Sequence, residues 1–159
     1  TNGAKTMAVH RDNPYGNYNF RVTATRFGGA ETVRAGFQEV SGLGIESTVA
    51  EYRNGNDPEN HVRKINGVYK VPDVTLKRGL IGDLDFFGWL KDIREGAQDN
   101  VLEQVTIELM AEDHTGPVMT WRLKNARPIK YTGPTLNAKG GTDVAMEELV
   151  LACESLSIE

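Results

Sequence analysis

The sequence predicts a mainly β protein of antiparallel strands with one flanking α-helix, and three observations carry that expectation. Runs in which apolar and polar residues alternate recur along the chain, each bounded by Gly, Pro, Asn or Asp. Residues 83–96 show the clearest run of apolar side chains at helical spacing. No apolar run approaches the roughly 18 residues of a membrane-spanning helix. The 39% of hydrophobic residues among 159 must therefore build a core from many short segments.

Residues 1–16 are polar, lack any period and end in the turn signal Asn13-Pro14-Tyr15-Gly16. They read as an N-terminal arm with no reason to order alone, followed by a single domain over residues 17–159. Tyr18, Phe20, Val22 and Ala24 alternate with polar residues as a half-buried strand, after which Gly28-Gly29 turns the chain. Residues 33–40 are expected as a second strand, ended by Ser41-Gly42-Leu43-Gly44, whose glycines permit a bend. Residues 45–53 form a third, and neither of its faces is clearly apolar. Such a strand suits either a solvent edge or contact with another chain.

Residues 54–60 are a surface loop by every turn rule, and short strands are expected at 61–65 and 74–77. From Asp83 as N-cap, Phe86, Trp89, Leu90 and Ile93 recur at i, i+3, i+4 and i+7 until Gly96 closes the helix. Residues 105–111 and 119–124 alternate on either side of a turn at 112–116, which makes a hairpin. A connector with two prolines and three glycines follows. In the last segment Met146, Leu149, Val150 and Cys153 fit a helical face, while Val144, Met146, Val150 and Ala152 fit one side of a strand interrupted by Glu148. Periodicity leans to helix.

Little in the chain points to catalysis. The formal net charge of -4, from 18 Lys+Arg against 22 Asp+Glu, argues against a surface built throughout to grip phosphates. Local basic stripes remain, at Lys77-Arg78 and along Arg122, Lys124, Arg127, Lys130 and Lys139, suited to nucleic acid or to acidic faces of other subunits. Residues 133–140 have the first glycine and the lysine of a phosphate loop, but Ala138 and Gly140 stand where the second glycine and the metal-binding hydroxyl belong. His10, His61 and His114 have no partners at ligand spacing, and the single Cys153 excludes a disulfide framework and a Cys-based zinc site. The N-terminus lacks the order of a secretory leader, so synthesis and folding in the cytoplasm are expected.

Several short motifs in order are more specific than any one of them. They are Asn17-Tyr18-Asn19-Phe20-Arg21-Val22, Phe37-Gln38-Glu39-Val40-Ser41-Gly42-Leu43, Glu51-Tyr52-Arg53-Asn54-Gly55, Val74-Thr75-Leu76-Lys77-Arg78-Gly79, Trp89 and the stretch 121–154. With them the chain resembles the inner-tube proteins of contractile phage tails and related contractile injection systems. The resemblance implies a tail-tube-like β-sandwich or barrel with one helix at its side and strand structure over 144–155. It also implies hexameric rings stacked into a hollow tube whose neighbouring strands line one channel. The implied partners are copies of the chain itself, a surrounding sheath, baseplate and terminator proteins, and DNA or protein cargo in the lumen, in a virion tail or an injection particle. No enzymatic activity and no cofactor are implied. Glu51, Tyr52, Arg53, Lys77, Arg78, Arg122, Lys124, Asn125 and Asn137 are the residues expected at contacts between subunits or with the sheath. The alternatives are a ring-forming tube or effector-carrier protein of type VI secretion, or a small-ligand-binding β-barrel with Trp89 and Trp121 lining a pocket.

Overall fold

The computed structural model describes residues 8–24, 36–82, 84–96 and 103–159. The expected turn at Gly28-Gly29, residues 33–35 of the second strand, the N-cap at Asp83 and residues 1–7 of the arm lie outside these. In chain order the described elements are β1 (Phe20–Thr23), β2 (Glu39–Ser41), β3 (Glu46–Tyr52), β4 (Arg63–Lys70), β5 (Val74–Gly79), α1 (Asp85–Arg94), β6 (Glu103–Met110), β7 (Pro117–Thr132), β8 (Met146–Ala152) and β9 (Ser155–Ile158).

Seven strands form one sheet in the order β1-β6-β7-β8-β5-β2, with β9 also on β7, and every pairing is antiparallel. The long strand β7 organises it. Its first part pairs with β6 and β9, and from Arg127 onward it pairs with β8. Between the two parts Asn125 takes a positive φ of 52°, and the register slips between Pro128 and Lys130. A bend and a bulge at one place let a strand leave one layer and enter another. The two halves consequently face each other. Val22, Val105, Ile107 and Leu123 from one half meet Val74, Leu76, Leu149 and Leu151 from the other in a single buried cluster. Full burial of each such side chain stabilises the fold by roughly 1.5–3 kcal/mol before entropy is counted.

The connector expected to begin after Lys124 begins only after Thr132, because β7 runs straight through Pro128. Among the described residues that strand has β8 as its one neighbour beyond Arg127, and a strand paired on one side accommodates a residue lacking an N–H. The helical lean of the last segment is overturned in favour of the strand structure that the resemblance implied over 144–155. Residues 146–158 are β8 and β9, and the inward side of β8 is Glu147, Leu149 and Leu151. A buried carboxylate at 147 disguised the alternation. The second strand is shorter than expected, since Gly36, Phe37 and Gln38 precede it, although the Gln38 N–H already donates to the Lys77 carbonyl.

Helix α1 covers one opening between the layers. Phe86 and Trp89 are its buried side chains and join the core. Gly96 ends it with φ +87°, its N–H donating to the Ile93 carbonyl at 3.1 Å, the left-handed stop that a β-carbon disfavours. Gly42 has a stricter reason to be glycine, because at φ +88° a Cβ would sit 2.2 Å from the Asp73 carbonyl oxygen.

Candidate assembly surfaces

Among the described residues, strands β3 and β4 pair only with each other. Every residue of both is exposed, including Val49, Tyr52, Ile65, Val68 and Tyr69. A lone two-stranded ribbon is marginal in water, and a run of exposed aromatic and β-branched side chains is the usual mark of a surface that another protein covers. Glu51 lies opposite Lys64 and Tyr52 opposite Arg63 at its outer end. The loop beyond is tied together by Arg53, whose guanidinium donates to the carbonyls of Glu59 and Asp57 and to Asn60 Oδ1 at 3.2–3.3 Å. Three of the nine predicted contact residues are thereby brought to one place. The sequence showed β3 with its mixed faces but only the first residues of its partner, so the size of the hairpin was not legible.

Arg78 corrects the expectation placed on it. It is 1% exposed, inward-facing on β5 directly opposite Glu147 of β8, so it cannot reach another subunit. Its Nε donates to Glu147 Oε1 at 2.5 Å, both of its Nη groups bind Asp85 at the start of α1, and its guanidinium lies 3.8 Å from the centre of the Phe86 ring. The Tyr131 hydroxyl completes the cluster by donating to Glu147 Oε2 at 3.0 Å. Burial works against the guanidinium's charge, but the hydrogen bonds to Asp85 and Glu147 outweigh it and raise its pKa. Burial, then the bond to Glu147, raises that of Tyr131. The cluster ties β5, β7, β8 and α1 together. Its signal in the sequence is a cation in the apolar register of Val74-x-Leu76-x-Arg78, a position that demands a buried acid partner.

The other predicted residues are dispersed. Lys77 is outward-facing, with its Nζ 3.8 Å from Glu39. Arg122 is half-buried and donates to Glu159 Oε2 at 3.2 Å. Lys124 is exposed, and its carbonyl accepts the Glu154 N–H, while Asn125 Nδ2 donates to the Glu154 carboxylate at 2.7 Å. Asn137 shapes the connector, its Oδ1 accepting the Lys139 N–H at 3.0 Å. That connector joins two strands, so no helix N-terminus follows Lys139 as a phosphate loop would require. In the arm, the Val9 N–H pairs with the Val118 carbonyl, and Arg11 forms a 2.8 Å ion pair with Glu112 while lying over Tyr15.

The two tryptophans do not share a pocket. Trp89 has no exposed surface, whereas Trp121 borders an open cleft of about 290 Å³ with Phe20, Val40, Leu43 and Leu109. Among the described residues no helix is long and apolar enough to cross a membrane.

No curated protein sequence matches the chain. Among solved structures it is similar to a chain of the PVC sheath-tube complex of an extracellular contractile injection system in the extended state. That likeness has 28% identity over 92% of this chain and 91% of that one, with a TM-score of 0.74. It is equally similar to a chain of that system's sheath/tube terminator, 28% identical over 93% and 98% with a TM-score of 0.75. Hcp1 from Flavobacterium johnsoniae shares the fold alone, at 11% identity over 87% and 93% with a TM-score of 0.52. The family model described as T4-like virus tail tube protein gp19 matches residues 16–157, from the end of the arm into β9. A match of that extent runs from β1 into β9 and takes in the helix and the hairpin, and the chain therefore belongs to this tail tube family.

Proposed function

We propose that the chain is the repeating inner-tube subunit of a contractile tail or injection particle, forming hexameric rings that stack into a hollow conduit for DNA or protein cargo. The observation that carries this reading is the β3–β4 hairpin, exposed on both faces and projecting from a fold whose family builds tubes. Its structural role leaves chemistry to other components. Copies of the chain cover the hairpin, with Glu51, Tyr52 and Arg53 at its contacts, and Lys77, Arg122, Lys124, Asn125 and Asn137 serve as further contact positions. Arg78 serves inside the subunit. A sheath and a terminator are the partners that the relatives of 28% identity support, and a baseplate follows from the tail architecture. The family match beginning at residue 16 supports a division into an arm, 1–16, and a tube domain, 17–159.

Negative-stain microscopy of the purified chain, alone and with a sheath protein of the same particle, tests the proposal. Rings or tubes are expected. A protein that stays monomeric at high concentration and also fails to co-assemble with that sheath would overturn it.

A further inference from the structure

Asparagine precedes glycine twice on the described hairpin, as Asn54-Gly55 in the loop and Asn66-Gly67 in β4. Their surroundings are opposite. A Cβ on Gly67 would come 2.4 Å from Thr48 Oγ1, so the fold itself calls for glycine there, and Asn66 is held opposite Val49 in the ladder. A Cβ on Gly55 would meet nothing within 4 Å, and φ there lies outside the left-handed region, so neither space nor backbone calls for glycine. What glycine leaves at 55 is an unshielded backbone nitrogen beside a side-chain amide. Among the described residues neither the Gly55 N–H nor the Asn54 Nδ2 group has a hydrogen-bond partner. Asn54 Oδ1, in contrast, accepts a 2.5 Å bond from the Tyr52 hydroxyl.

The geometry points to Asn54 as a site of self-modification, promoted by Tyr52. The Gly55 nitrogen adds to Asn54 Cγ and gives up its proton to solvent base. The Cγ–Nδ2 bond then breaks, ammonia leaves after taking a proton from solvent, and a five-membered succinimide joins the two residues. Water opens the ring at either carbonyl, leaving aspartate or isoaspartate in place of the asparagine, with no change of oxidation state. Attack within adjoining residues supplies proximity. Negative charge gathers on Oδ1 as the nitrogen adds, and the Tyr52 proton already faces that oxygen, so its bond strengthens in the transition state. At Asn66 the ladder resists the backbone rotation that ring closure needs. The product adds a carboxylate to a loop already holding Asp57 and Glu59, and the iso form adds a main-chain methylene at the hairpin's outer end.

The test is peptide mapping by mass spectrometry of the full chain held at mildly alkaline pH, with isoaspartate counted by enzymatic methyl transfer. Asn54 is expected to convert at least about tenfold faster than Asn66. Tyr52→Phe should slow it roughly tenfold, equivalent to about 1.36 kcal/mol in the barrier. Gly55→Ala should slow it further with the circular dichroism spectrum unchanged. Conversion of Asn66 at an equal or greater rate, or an intact Asn54 after prolonged incubation, would overturn the site. An unchanged rate in Tyr52→Phe would overturn the role of the tyrosine.

Discussion

Arg78 and Glu112 show how a side chain's setting decides what its charge does. Arg78 is enclosed with two carboxylates, and removing it leaves Asp85 and Glu147 without their cation inside the fold. Arg78→Leu should lower stability by about 3–5 kcal/mol in urea unfolding, the usual cost of orphaning a buried charge. Its outward neighbour offers the control, since Lys77→Leu should change stability by no more than about 0.5 kcal/mol. Equal losses at the two positions would contradict the buried cluster. Glu112 is exposed, and its pKa is held below the ordinary carboxylate value, first by the Arg11 side chain and then by the Gly16 N–H. A depressed folded pKa means that the contact stabilises fully above the unfolded value and is lost as pH falls through the folded one. The Val9 amide, bonded to Val118, should therefore shift toward its free position in an acid NMR titration. Glu112→Gln should produce that shift at neutral pH, and an amide unmoved in the variant would refute the idea that the Arg11–Glu112 ion pair holds the arm.

Among the elements, the hairpin is the one that the subunit does not need for itself. None of its strand residues is buried, and its ends, Glu46 and Lys70, are paired directly across from each other. Replacing residues 46–70 by a two-residue turn should leave a cooperatively folding sandwich while abolishing rings and tubes. Circular dichroism and negative-stain microscopy would read the two outcomes separately, and tubes of normal appearance would sink the assignment. The helix is the opposite case. Its apolar period made it legible, and its stripe proved to be core, because Phe86 and Trp89 close the space between the layers.

At the scale of the whole molecule, stability and assembly are linked. Ring formation binds the native subunit and not the unfolded chain, so it stabilises by mass action. The Tm in scanning calorimetry should therefore rise with protein concentration, and the chain lacking residues 46–70 should lose that dependence. A concentration-independent Tm over the range where rings are seen would contradict the linkage. Among the described residues β1, β2 and β9 each have a strand partner on one side, and their other sides are further places where strands of neighbouring copies can add.

The sequence by itself determined the class of the fold, the helix, the β6–β7 hairpin and the family resemblance, because period and turn chemistry are local properties that neighbouring residues display together. Tertiary structure alone decided that β7 passes through Pro128 to join both layers, that Glu147 belongs to the inward side of the strand the resemblance implied, and that Arg78 faces inward. Each of these rests on a partner far along the chain. A proline is acceptable in a strand only where an edge is free, and a glutamate is acceptable in a core only where an arginine waits 69 residues away to meet it.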